Sequence, residues 1–276
     1  METISTLLEK SRLPDSDSSL LDIELLLCHT LQCDRAYLRT WPEKPLDSKQ
    51  IQTFSCLYER RLKGEPIAYL LGNRYFWDLD LHVTPDTLIP RPDTEILVEQ
   101  ALSLSLPDKA TVLDLGTGTG AIALALANER PTWQVTGTDR FEQVIELAKS
   151  NAVKNHLEHV RFICSSWFDS IDDKNYDLIV SNPPYIDEAD PHLSQGDVRF
   201  EPKSALVAKN HGLADIALII QQSRDYLRSE GWLILEHGYQ QAKDVQTLFQ
   251  QAGYQAIDTL KDYGQQDRIT QGRYIY

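Results

Sequence analysis

Residues Asp177–Tyr185 read DLIVSNPPY, an apolar run that stops at one amide side chain and two prolines. Asp177–Ser181 has the branched, apolar composition of a buried strand. Neither Pro183 nor Pro184 has a backbone N–H, so regular pairing cannot continue past Asn182. A strand ending in so stiff a turn holds the Asn182 side chain, the Pro183 carbonyl and the Tyr185 ring in fixed positions. Two acceptors and a flat face suit a planar amide or amidine nitrogen. Taken by itself, the same tetrapeptide is equally an ordinary proline-rich exit from a strand.

A second candidate lies upstream, in Asp114-Leu115-Gly116-Thr117-Gly118-Thr119-Gly120. Glycines 116, 118 and 120 lack Cβ atoms, so a strand-to-helix turn here can be tight and can approach a ligand closely. The spacing is GxGxG, not the GxGxxG of dinucleotide folds. A glycine turn alone is weak, because a purely structural turn looks the same. Asp139 follows at the end of the next apolar segment, where a carboxylate can accept both hydroxyls of a ribose. Trp167, in Cys164-Ser165-Ser166-Trp167, follows a third such segment and is either an aromatic stacking surface or a core residue. Neither a nucleophile–base constellation nor a Cys/His metal spacing is evident. His29, His82, His156, His159, His192, His211 and His237 read as structural or surface residues.

These residues need a scaffold that brings strand ends together, and the remaining pattern supplies one. Ala110–Leu115, Gln134–Thr138, Val160–Cys164 and Asp177–Ser181 read as strands, with helices over Gly120–Asn128 and Phe141–Val153 between them. After a long loop come a helix (Leu213–Leu227), a strand (Trp232–Glu236), a helix (Gln240–Gln251) and strands near Ala256–Leu260 and Arg268–Tyr276. Such alternation means an α/β fold, a Rossmann-like, mostly parallel sheet with helices on both faces. The glycine loop, Asp139 and Asn182 then all lie at carboxyl ends of parallel strands, where such folds bind ligands.

Ahead of this lies a different texture. Residues 1–71 read as about five helices, with Ser18-Ser19 and Asp47 as caps, a nearly encircled and so buried segment from Leu20 to Leu27, and Pro66 opening a last turn before Gly72. Arg74–Thr84 alternates Tyr75, Trp77, Leu79, Leu81 and Val83 with mostly polar residues, the period of a strand or hairpin. Ile89–Glu95 is stiffened by Pro90 and Pro92, with Asp93 as a cap for the helix that follows. This stretch is a rigid connector, a substrate-binding segment, or both. The expected divisions are a helical domain at 1–73, a hairpin and connector at 74–92, and the α/β domain at 93–276.

The 276 residues carry a formal charge of −14, unevenly placed. Residues 1–75 hold 11 acidic and 10 basic side chains, and the remainder 30 acidic and 17 basic. At −13, this remainder, which includes the α/β domain, repels a phosphate backbone, which disfavours tight non-specific binding to naked nucleic acid. The N-terminal stretch has neither a basic leader nor a long apolar run, and no segment approaches a membrane span. Four cysteines without paired spacing fit a cytoplasmic chain with buried, reduced thiols.

The glycine loop, the acid at the second strand end and the Asn-Pro-Pro-Tyr turn together resemble the class I S-adenosylmethionine-dependent methyltransferases. That resemblance implies a seven-stranded sheet, with Gly116, Thr117, Gly118, Thr119, Gly120, Asp139, Trp167 and Asn182 holding S-adenosylmethionine. It also implies that Asn182, Pro183, Pro184 and Tyr185 hold an acceptor nitrogen conjugated to a π system: adenine N6, cytosine N4 or a glutamine amide. More specifically, Tyr69-Leu70-Leu71-Gly72, Ile89–Glu95, the glycine loop, Asn182–Tyr185 and Phe200-Glu201-Pro202 are similar to the release-factor glutamine methyltransferases. By that resemblance the substrate is the glutamine of the Gly-Gly-Gln loop of class I peptide chain release factors, methylated at N5. S-adenosylhomocysteine is then the second product, the helical domain helps dock the release factor, and a monomer is expected. The competing reading is an N6-adenine methyltransferase acting on RNA or DNA. A binding module without catalysis would have lost a motif, and the glycine spacing disfavours a nicotinamide-dependent oxidoreductase.

Overall fold

A computed structural model describes residues 2–14, 16 and 18–276, and in it the chain divides into two units. The first runs to Gly72 and also takes in Ser194–Phe200; the second comprises Asn73–Leu193 and Glu201–Tyr276. The hairpin therefore groups with the α/β unit rather than standing as a separate connector. A short piece of the long loop, which periodicity assigned to the α/β domain, groups with the helices.

The first unit is five helices, α1 (Ile4–Lys10), α2 (Ser19–Leu31), α3 (Arg35–Thr40), α4 (Ser48–Leu62) and α5 (Ile67–Leu71). Asp47 caps α4 in a reciprocal box with Gln50, which satisfies two otherwise orphaned backbone donors. Ser18 stands at the N-cap of α2, but its hydroxyl donates to Asp22 and makes no capping bond. Nor is that helix buried all round: Ile23, Leu26 and Leu27 pack inward while Leu20 and Leu21 are exposed. Arg61 on α4 donates to Asp22 at 2.9 Å and to Asp197 at 3.1 Å, tying Ser194–Phe200 to the helices.

In the second unit a hairpin, β1 (Asn73–Phe76) and β2 (Leu79–His82), precedes a 3-10 turn (Pro92–Thr94) and α6 (Glu95–Ser103). Asp93 lies inside that turn and does not cap α6, whose N-cap is Thr94. The alternating part follows as β3 (Thr111–Leu115), α7 (Ala121–Glu129), β4 (Gln134–Asp139), α8 (Glu142–Lys154), β5 (Arg161–Cys164) and β6 (Tyr176–Ser181). It closes with α9 (Lys203–Leu206), α10 (Ala214–Ser223), β7 (Leu227–Glu236), α11 (Ala242–Gln251), β8 (Gln255–Lys261) and β9 (Asp267–Tyr274). Leu227, expected to end a helix, instead opens the long strand β7 and is buried beside Tyr176.

The seven strands run in the order β5-β4-β3-β6-β7-β9-β8, with β9 antiparallel to both neighbours and the others parallel. Chain order reverses between β3 and β6, which makes a switch point where such sheets open a crevice at their carboxyl ends. Two apolar clusters cover the two sheet faces, one built on α6, α7 and α8 and the other on α10 and α11. The small side chains of α7 let it sit so close that every residue from Ala121 to Ala127 is buried. Asn151 on α8 and Asn155 at its C-cap hydrogen-bond backbone N–H and C=O groups of His82 and Asp80, so the hairpin docks on that helix. All four thiols are free; contrary to expectation Cys56 and Cys164 are exposed and Cys28 and Cys33 only half-buried. Among the described residues no helix is long and apolar enough to cross a membrane.

Candidate active site

Parallel pairing sets the strand ends side by side. Leu115 of β3 is in register with Thr138 of β4 and with Ser181 of β6, and Asp139 with Cys164 of β5. The Ser181 hydroxyl donates to the Leu115 carbonyl at 2.6 Å, which clamps the tip of β6 to β3. One residue beyond the Leu115 pairs, the chain leaves β3 as the glycine loop and β6 as Asn182, while β4 ends at Asp139. Over them lies a cleft of about 1080 Å³, its open mouth included.

Gly116, Thr117, Gly118 and Thr119 form one wall of the cleft. Gly116 and Gly118 sit at φ +70° and +55°, where an L side chain is strained. A Cβ on Gly118 would meet nothing within 4 Å, so bare backbone faces the opening. Gly120, by contrast, does not line the cleft: it starts α7, and a Cβ there would come within 3.1 Å of Leu124 and 3.3 Å of Phe162. Its role is packing the helix onto the sheet.

The loop is held by two acids. Asp114, at the buried end of β3, accepts from the Thr117 hydroxyl at 2.6 Å and from the Ala123 N–H at 3.2 Å. Complete burial pushes its carboxyl up to about 7, although the Thr117 and Ala123 bonds oppose the shift. Folding thus takes up a proton at Asp114 between its ordinary range and pH 7, so its stabilising contribution is full in acid and is lost as pH rises through about 7. Asp114→Asn fits the same space and removes that slope. Denaturation midpoints measured from about pH 5 to pH 8 should show the wild type losing ground to the variant as pH rises, by up to ~1.4 kcal/mol per pH unit. Parallel curves would overturn the assignment.

Asp139 is the second acid. Its Oδ2 accepts from the Gly118 N–H at 3.3 Å and its Oδ1 from the Phe141 N–H at 3.2 Å. The carboxylate therefore stitches the glycine loop to the tip of β4, and burial raises its pKa. Trp167 also lines the cleft, its ring 3.4 Å from where a Cβ on Gly116 would stand. It adopts φ +48°, uncommon for a bulky side chain and concentrated at functional sites. Ser165 holds this turn, donating to the Trp167 carbonyl at 3.0 Å and accepting from the Ser170 N–H at 2.9 Å. With Phe141 and Val144 also on the lining, the cleft offers flat apolar faces beside a carboxylate.

At the other end Asn182 and Pro184 line the cleft, while Pro183 is buried and Tyr185 packs its ring against the α10–α11 core. The peptide bonds of this turn are trans. The Asn182 Nδ2 donates to the Thr94 hydroxyl at 3.1 Å, and Thr94 donates to Glu236 Oε2 at 2.7 Å. The Tyr185 hydroxyl donates to Glu236 Oε1 at 3.1 Å. Nearby, Arg91 reaches the cleft and pairs with Glu201, whose side chain is fully buried and whose other oxygen accepts from the Ile89 N–H at 3.1 Å. None of the seven histidines lines the cleft.

Thr94, Arg91 and Glu201 belong to segments singled out in the sequence, but without any individual role for their side chains. Glu236, at the end of β7, carries the same signal as Asp139, an acid at the end of a parallel strand, and is a site residue that the sequence reading does not include. Asp114, Arg140, Phe141 and Asp215 carry no comparable mark in the sequence; only the crevice brings the last three to its walls.

A family model described as the PrmC N-terminal domain matches residues 7–72, and one described as a methyltransferase small domain matches residues 92–198. Among solved structures, a methyltransferase from Pyrococcus furiosus is similar in fold, with a TM-score of 0.56 at 18% identity over 80% of this chain and 100% of its own. The release factor glutamine methyltransferase of Pseudomonas aeruginosa is 54% identical over 99% of this chain and 99% of its own length. That of Aliivibrio fischeri is 51% identical over 99% of this chain and 98% of its own. With over half its residues shared along almost its whole length, the chain belongs to the release factor glutamine methyltransferase family.

Proposed function

We propose that this protein transfers a methyl group from S-adenosylmethionine to the side-chain amide nitrogen of a glutamine, in the Gly-Gly-Gln loop of class I peptide chain release factors. The observation that carries the reading is Asn182, held at the wall of the same cleft that the glycine loop and Asp139 line. The cofactor fits this lining. Bare backbone at Gly118 admits close approach, Asp139 can accept ribose hydroxyls, and Trp167 and Phe141 offer faces to a purine. When bound, S-adenosylmethionine supplies an electrophilic methyl group.

The chain's own residues then have to improve a poor nucleophile. An amide nitrogen has its lone pair delocalised into the carbonyl. Accepting its two N–H hydrogens with the Asn182 Oδ1 and the Pro183 carbonyl orients it and returns electron density to nitrogen. Fixed acceptors of this kind gain most where charge develops during transfer, and holding both reactants in place supplies much of the remainder. A methylated cationic amide sheds its proton readily, so no base of shifted pKa is required. Tyr185 stands behind the turn and braces it through Glu236. The helical unit helps dock the protein substrate, and the chain works as a cytoplasmic monomer with no stable nucleic-acid partner. The charge of −13 on the residues beyond position 75 supports a protein substrate over a nucleic acid.

Labelled S-adenosylmethionine, offered with unmethylated release factor, RNA or DNA in separate reactions, tests the reading. Label is expected in the release factor alone, on its Gly-Gly-Gln glutamine. Label found only in nucleic acid would favour the adenine alternative and refute this one.

A further inference from the structure

We propose that Thr94 and Glu236 decide which way the Asn182 amide faces, and so act as positioning residues for the acceptor site. The inference rests on the reading of Asn182 as the acceptor of the substrate's N–H hydrogens. An asparagine amide is nearly symmetric in shape but not in chemistry, since one arm accepts and the other donates. Only the oxygen can receive a hydrogen from the substrate nitrogen. Nothing in the asparagine itself selects that arm.

The selection lies two hydrogen bonds away. Glu236 is 1% exposed, and both its oxygens are met by hydroxyls, Thr94 on Oε2 at 2.7 Å and Tyr185 on Oε1 at 3.1 Å. Burial holds this carboxyl above its usual range, against the opposing pull of the Thr94 bond, the Arg268 charge and the Tyr185 bond. A threonine hydroxyl has one hydrogen, and with that hydrogen on the carboxylate only lone pairs remain to face Asn182. The neighbour must then be a donor, and the contact is to Nδ2, at 3.1 Å. A flipped amide would set its oxygen against those lone pairs with no hydrogen between them. Oδ1 is thereby left as the arm available to the substrate.

The same chain cannot carry a proton out of the site. Its link to Asn182 is an amide N–H directed at a neutral hydroxyl, which has no tendency to take that hydrogen. Orientation, not acid–base chemistry, is what Glu236 contributes. The three parts come from distant segments: Thr94 from the turn before α6, Glu236 from the end of β7, and Asn182 from the end of β6.

Thr94→Val keeps the shape and removes the hydroxyl. Turnover at saturating substrates should fall by about 10- to 100-fold, as expected when a donor is left to compete for the wrong arm, with cofactor Kd within about threefold. Thr94→Ser should restore kcat to within about threefold, because the hydroxyl is what matters and not the methyl. In an Asn182→Ala background, Thr94→Val should cost nothing further, since residues acting as a unit are non-additive. Glu236→Gln offers one carbonyl oxygen where the carboxylate offers two, so one hydroxyl loses its acceptor and kcat should drop by about 3- to 10-fold. Wild-type kcat in Thr94→Val, or an equal loss in the Asn182→Ala background, would overturn the inference. Should Thr94→Val fail to fold, full kcat in Glu236→Gln does so instead. A fully active Asn182→Ala would refute the reading of Asn182 itself, whereas an inactive Asn182→Ala beside an intact Thr94→Val sinks only the positioning roles.

Discussion

Replacing Asn182 with alanine should lower kcat for release-factor methylation by about a thousandfold, the loss typical when one preorganised partner of the reacting centre is removed. Cofactor affinity should stay within about threefold if, as proposed, the side chain that disappears serves the acceptor nitrogen and not the donor. The separation has a structural basis. The glycine loop is held by Asp114 and Asp139 on β3 and β4, and neither bond involves Asn182. The tip of β6 also stays in place without the side chain, since the Ser181 hydroxyl still reaches the Leu115 carbonyl. Single-turnover label transfer and calorimetric titration with S-adenosylmethionine check the two halves separately. A fall in cofactor affinity matching the fall in rate would make Asn182 a cofactor or folding residue.

The complementary result is expected at Asp139. Asp139→Ala should weaken cofactor binding by about a hundredfold, the scale of two hydrogen bonds to a charged acceptor. At saturating cofactor, kcat should recover to within several-fold. A carboxylate has about four lone-pair sites, so Asp139 can keep the Gly118 and Phe141 N–H groups and still receive two hydroxyls. Alanine removes both functions at once, the ribose acceptors and the stitch that holds the loop. Asp139→Asn keeps one oxygen and should lie between, at about tenfold. Burial holds the Asp139 carboxyl above its usual range. Affinity should therefore weaken as acid protonates it, and Asp139→Asn should be flat over the same interval. Unchanged affinity in Asp139→Ala would refute the ribose role.

Much of this was legible in the sequence, and the gaps have physical causes. Period and composition located all seven strands of the sheet; the central parallel ones are the clearest, because buried parallel strands are continuous apolar runs bounded by glycine, proline and polar residues. The glycine loop, Asp139, Trp167 and Asn182 announced themselves by residue type at a strand end. Element ends slipped where two signals overlapped. Leu227 continues the apolar period of α10, yet it pairs with Tyr176 and opens β7. Asp93 looked like a helix cap, but a 3-10 turn intervenes and Thr94 takes that place.

What sequence did not carry is partnership across long separations. Thr94 and Glu236 stand 142 positions apart, and Arg91 and Glu201 110. Only the fold shows that Thr94 and Glu236 are buried against one another and that the buried Glu201 is met by Arg91. Ser194–Phe200 is a similar case. Its place with the helices depends in part on Arg61, a side chain whose helix periodicity already explained.

The register between β3 and β6 carries one more consequence. Leu115 and Ser181 are paired, and the glycine loop and the Asn182 turn each begin at the very next residue. Neighbouring strands are spaced at about 4.8 Å by their hydrogen bonds. On the proposed reading of the glycine loop as donor site and the Asn182 turn as acceptor site, both inherit their starting separation from the backbone of the sheet, not from any side chain in either one. A lineage can then rewrite the tetrapeptide to suit a new acceptor without re-solving the approach of methyl to nucleophile. The spacing is common property of the scaffold, and the acceptor is a replaceable part mounted on it.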